Sequence, residues 1–110
     1  MSGRKMKLGV LDRLIAFQLL PAKGNITNLE LIRVAKETLS LSEKEKKVLN
    51  MRQEMVGGES QWRWDPKYPE QTILLGETPI QLIRAEFRRL NDTEELPDEY
   101  VATYHKFMKE

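Results

Sequence analysis

One pattern constrains this chain more than any other: Ile80, Ile83, Phe87 and Leu90 recur at i, i+3, i+7 and i+10. On a helix turning about 100° per residue these side chains form one apolar stripe, which other elements must cover. Thr78 followed by Pro79 marks the start, a hydroxyl cap and then a proline at the first helical position, where its missing N–H is not needed. Asn91 and Asp92 break the pattern.

The rest of the chain supplies matching partners. Val10, Leu14 and Phe17, with Leu11 and Ile15 beside them, predict a helix that Gly9 opens and that ends near Leu20, before Pro21, Gly24 and Asn25. Thr27 and Glu30 are spaced as a capping box, which predicts a second helix with Leu31, Val34 and Ala35 on its stripe and Ile32 and Leu39 flanking it. Ser42 and Glu45 repeat the box and predict a third helix to about Met55, ended by Gly57 and Gly58. Its apolar side is thin, mainly Val48, Leu49 and Met51, while Lys46, Lys47, Asn50 and Gln53 project from the other side. A last helix from about Pro97 carries Tyr100, Val101, Tyr104, Phe107 and Met108 on one stripe.

Between Gly58 and Gly76 the period changes. Gln61, Trp62, Arg63 and Trp64 alternate, and Thr72 to Leu75 is a β-prone run, so a β-hairpin is expected here. Its two runs are joined by a long exposed loop through Asp65, Pro66, Lys67, Tyr68 and Pro69. Trp62 and Trp64 share a strand face, which predicts a place in the core with Leu11, Leu14, Phe17, Leu31, Val34, Ile83, Phe87, Leu90, Tyr104 and Phe107.

The fold class that follows is α+β, mainly α: about five helices with one hairpin between the third and fourth, in a winged-helix-like order. A chain of 110 residues fits one domain, residues 1–110, and residues 1–9 read as a flexible N-terminus. With 40% apolar and 32% charged residues and a net charge of +1, the chain should fold alone. The absence of cysteine removes disulfides and thiolate chemistry and fits a reducing, cytoplasmic setting. The basic N-terminus is followed by an apolar stretch that Asp12 and Arg13 interrupt, unlike a signal peptide, and no stretch has the length and apolarity of a membrane span, so no membrane partner is expected.

Catalytic motifs are scarce. His105 is the single histidine, the glycines lack the lysine of a phosphate-binding loop, and the acids Asp92, Glu94, Glu95, Asp98 and Glu99 lack the spacing of a calcium loop. No catalytic, cofactor or metal residues are therefore expected, and the candidates are surfaces. Charge is uneven, with 11 Lys/Arg against 6 Asp/Glu in residues 1–56 and 7 against 11 in residues 57–110. In the winged-helix order Lys46, Lys47, Asn50 and Gln53 would meet DNA, with Arg63 and Lys67 on phosphate. Arg84 and Arg88, with Gln81 and Arg89, suggest a guanidinium strip on the fourth helix, while Tyr68, Met51 and Met55 are suited to a protein contact.

The run Leu8 to Leu20 ending in Pro21, the Thr27-capped helix, the Leu41-Ser42-Glu43-Lys44-Glu45 start, Gln61-Trp62 and the Gly76-Glu77-Thr78 opening together resemble small bacteriophage-type accessory proteins of unknown function. The resemblance implies a virus-encoded protein acting in a host cytoplasm through contact with a host or viral macromolecule, and it supplies no site residues. The leading expectation is protein–protein contact, and the alternative is a winged-helix-like DNA-binding regulator. An amphipathic helix can bury its stripe within one chain or between two copies, so the pattern also admits a homo-oligomer.

Overall fold

The computed structural model describes residues 3–65 and 68–109. Its frame is a sheet of two strands, β1 (Gly3–Leu8) and β4 (Gln71–Gly76), antiparallel and in register from Gly3 opposite Gly76 to Leu8 opposite Gln71. Alternation turns Leu8, Ile73 and Leu75 inward and leaves Lys5, Lys7, Thr72 and Leu74 outside. The stretch expected to be a flexible N-terminus thus holds a strand, because pairing with β4 satisfies its backbone and Leu8 is fully buried.

Among the described residues five helical segments complete the fold: α1 (Val10–Leu19), α2 (Ile26–Leu39), α3 (Glu43–Leu49), α4 (Glu77–Asp92) and α5 (Val101–Met108). Four of them have eight residues or more, α3 is a seven-residue fragment, and Asp98–Tyr100 forms a 3-10 turn before α5. α4 packs against α1, α2, α5 and β4. Ile80, Ile83 and Phe87 are buried, and the Phe87 ring meets Tyr104 edge-on at 5.5 Å and Phe107 at 6.0 Å. The stripe expected from the sequence is the centre of the core, with Leu90 half-buried at its end.

Two stripes are rotated from their expected phase. On α1 the buried apolar residues are Val10, Ile15 and Ala16, so Val10 keeps its expected place while Leu11 and Phe17 are exposed and Leu14 is half-buried. On α2 they are Ile32, Ala35 and Leu39, so that Leu31 and Val34 face outward, Val34 with 62% of its surface exposed. The starts also shift. Asn25 caps α2, accepting from the Asn28 N–H at 2.8 Å, which puts Thr27 inside the helix. Gly76 caps α4 in place of Thr78. The Ser42–Glu45 box forms as expected.

The hairpin differs most. β2 (Arg52–Val56) pairs with β3 (Glu59–Arg63) in a second antiparallel sheet, turned through Gly57 and Gly58. Both glycines have positive φ, which they adopt without a Cβ clash. The run Thr72 to Leu75 therefore pairs with β1, not with the tryptophan strand. The helix expected to reach Met55 stops at Leu49, where Asn50 takes the left-handed conformation at φ 54°. A winged helix joins its wing to one sheet with a strand that follows the first helix; here the hairpin stands apart from the β1–β4 sheet.

Candidate functional site

Adjacent charges on α1 set the positions of the other elements. Asp12 is buried; it accepts from the Gly9 N–H at 2.9 Å and the Thr103 hydroxyl at 2.5 Å, and pairs with Lys106 at 2.5 Å. Lys106 also pairs with Glu70. Burial works against the charged ammonium, but these two carboxylates carry its pKa above the ordinary value. α1 and α5 are thereby pinned together.

Arg13, only 3% exposed, does the same on the other side. Its Nε donates to the Leu39 carbonyl at 3.1 Å and Nη2 to the Ser40 carbonyl at 2.7 Å, satisfying the C-terminal end of α2. Nη1 reaches Glu45 Oε2 at 2.8 Å. Glu45 also accepts from the Ser42 N–H at 3.0 Å and from the Tyr68 hydroxyl at 3.1 Å. The Arg13 guanidinium, chiefly by hydrogen bonding, holds the Glu45 carboxyl at about 2 against the opposing effect of burial. One arginine therefore fixes the turn between α2 and α3. Asp65 N–H donates to the Leu49 carbonyl at 2.8 Å, which closes the base of the hairpin that follows.

The hairpin carries an unusual surface. Side chains alternate across the strands, so Gln53 and Trp62 share one face with Met55 and Ser60. That face has no charge. The opposite face holds Arg52, Glu54, Glu59 and Arg63, with Glu54 2.7 Å from Arg52 and 3.8 Å from Arg63. Trp62 keeps 54% of its surface exposed and Met55 71%.

Trp62 stands where three hollows meet. The first, with a volume of about 240 Å3, has Leu14 and Phe17 of α1, Leu39, Leu41 and Met51 among its walls. The second, of about 470 Å3, lies between Leu11, Leu14 and Gln18 of α1 and Gln61, Arg63 and Trp64 at β3. The third is bounded by Glu43, Lys46, Lys47, Asn50 and Met51. Leu14 and Trp62 line both the first and the second, so one cleft runs between α1 and the hairpin.

Of the residues singled out from the sequence, Lys46, Lys47 and Asn50 come together in the third hollow. Lys46 is 3.4 Å from Glu43, which offsets its charge. Gln53 lies opposite Trp62 on an exposed strand and not on a recognition helix, and Arg63 lies on the charged hairpin face. The Tyr68 hydroxyl donates to Glu45 and the residue is half-buried; burial, and then that carboxylate, raise its pKa. Lys67 and Pro66 lie outside the described residues. The guanidinium strip does not form, because Arg84 is buried while Arg88 is exposed. Trp62, Leu11, Leu14 and Phe17, assigned to the core by periodicity, line the cleft instead. Among the described residues no group of three or more His, Asp or Glu side chains converges as a metal site requires, and no helix is long and apolar enough to cross a membrane.

Comparison of the chain with family models, with curated proteins and with solved structures finds no match.

Proposed function

We propose that the chain is a protein-binding accessory module that takes a segment of its partner into the cleft between α1 and the β2–β3 hairpin. The observation that carries this reading is Trp62, half exposed on an uncharged strand face and shared by three adjoining hollows. Large aromatic side chains flanked by pockets supply much of the binding energy of protein interfaces. Leu11, Phe17 and Met55 extend the apolar surface around it. The outer edge of β3 has no strand partner among the described residues, so an extended segment can pair with its backbone while its side chains reach Leu14 and Trp62. A bacterial cytoplasm, inferred from the phage-type resemblance and the lack of cysteine, is the proposed setting.

The DNA-binding alternative has less support. Residues 43–63, covering α3 and the hairpin, hold five Lys/Arg and four Asp/Glu. Affinity for DNA rests on uncompensated positive charge, which this surface lacks.

Both tryptophans of the chain, Trp62 and Trp64, border the second hollow, so intrinsic fluorescence reads this site directly. Nuclease-treated host lysate should yield a partner retained by the wild-type chain and lost with Trp62→Ala, and the purified partner should shift the tryptophan emission to the blue. Retention of the same partner by Trp62→Ala at unchanged affinity would remove the cleft from the interface.

A further inference from the structure

Away from the cleft, and sharing no residue with it, a second surface has the opposite character. Arg4, Lys5 and Lys7 of β1 and Lys106 and Lys109 at the end of α5 line one open trough of about 230 Å3, and Met6 is its remaining wall. Lys106 is neutralised by Asp12 and Glu70. Among the described residues Arg4, Lys5, Lys7 and Lys109 make no ion pair within 4 Å. Four such cations thus border one trough on a molecule whose net charge is only +1. Their mutual repulsion is relieved by an anionic partner that spans them.

We propose that this trough binds the sugar–phosphate backbone of nucleic acid, without reading its sequence. Three observations favour that polyanion. Lys5 and Lys7 both lie on the outer face of β1, so their backbone positions recur about every 7 Å, close to the separation of neighbouring phosphates along one strand. The trough contains no aromatic ring on which a base could stack and offers no helix face to a groove, so its contacts are with phosphate alone. A lipid surface would need apolar side chains to insert, and the outer face of the sheet offers only Leu74, opposite Lys5.

Three or four phosphate contacts predict a log–log slope of affinity against salt near −3. The test is fluorescence anisotropy of a labelled DNA duplex, and of a single strand of equal length, with the full chain at roughly 0.05 to 0.2 M NaCl. Lys5→Glu/Lys7→Glu/Lys109→Glu should weaken binding at least tenfold and flatten the slope by about 3, while Lys44→Glu/Lys47→Glu on α3 leaves both unchanged. Should the triple variant lose its helical circular dichroism, Lys5→Gln/Lys7→Gln replaces it, with a smaller loss in the same direction. Undiminished binding by a folded trough variant would overturn the proposal, as would equal loss from the α3 variant. Preferential binding of poly-glutamate or phosphatidylserine vesicles by the wild-type chain would overturn it too, by assigning the trough to another class of anion.

Discussion

Glu45 shows how much a single side chain can decide. It caps α3, receives Arg13 from α1 and receives Tyr68 from the loop ahead of β4. Its carboxyl, at about 2 in the folded chain against 4.5 ordinarily, is depressed by folding. The folded state therefore gains stability above the ordinary value and loses it as pH falls through the folded one. With 23% of the side chain exposed, that contribution is at most about 3 kcal/mol. Urea unfolding midpoints of the wild-type chain should fall steadily between about pH 5 and pH 2. Glu45→Gln should be less stable at neutral pH by about 1–3 kcal/mol and should lack part of that acid-side fall. An identical pH profile in the two proteins would mean that the pairing contributes nothing. Asp12 and Arg13 were visible in the sequence only as an interruption of an apolar run. A charge on one helix does not reveal which distant carbonyl or hydroxyl completes it, so their role had to come from the three-dimensional arrangement.

At the scale of elements, periodicity located the helices better than it located their buried faces. The α4 stripe was legible because, apart from Pro79, Leu82 and Ala85, the rest of the helix is polar or charged. In α1 and α2 apolar residues cover more than one face, and the stripe that packs is the one the sheet and α4 can reach. Two phenylalanines expose the difference. Phe87→Ala should cost about 3–5 kcal/mol, since its ring is fully buried among Tyr100, Tyr104 and Phe107. Phe17→Ala should cost less, about 1 kcal/mol, since Phe17 is 38% exposed on the wall of the cleft, with the Lys36 Nζ 5.5 Å from its ring centroid. Thermal unfolding of both variants decides the matter, and similar losses would mean that the two rings are equally buried. The strands were harder. Arg52–Val56 reads as helix by composition, yet Asn50 ends α3 and the paired glycines fold the segment back onto Glu59–Arg63. Strand partners are chosen by contacts far apart in sequence, so the tryptophan run and the Thr72 to Leu75 run could each be recognised as strands without revealing that they pair with other partners.

The whole molecule divides into a packed body and a projecting hairpin. β2 and β3 pack chiefly on one another, and every residue in them is exposed. The body, by contrast, encloses Leu8, Ile15, Ile32, Leu39, Leu75, Ile80, Ile83, Phe87 and Phe107 without help from either strand. An isolated two-stranded hairpin is marginally stable, so this one draws its order from its anchorage and, in the proposed function, from the partner it meets. The chain leaves and rejoins the body at one point, where the Asp65 N–H meets the Leu49 carbonyl. Replacing residues 51–64 by Gly-Gly should therefore close a short turn without pulling on the core. The shortened chain is expected to unfold in one cooperative step, with a melting temperature within a few degrees of the wild type, as read by circular dichroism. It should fail to retain the partner captured through Trp62 while binding a DNA duplex through the β1–α5 trough with the same salt dependence. Loss of cooperative unfolding would make the hairpin part of the core; a folded variant that kept its protein partner would move the interface elsewhere on the body.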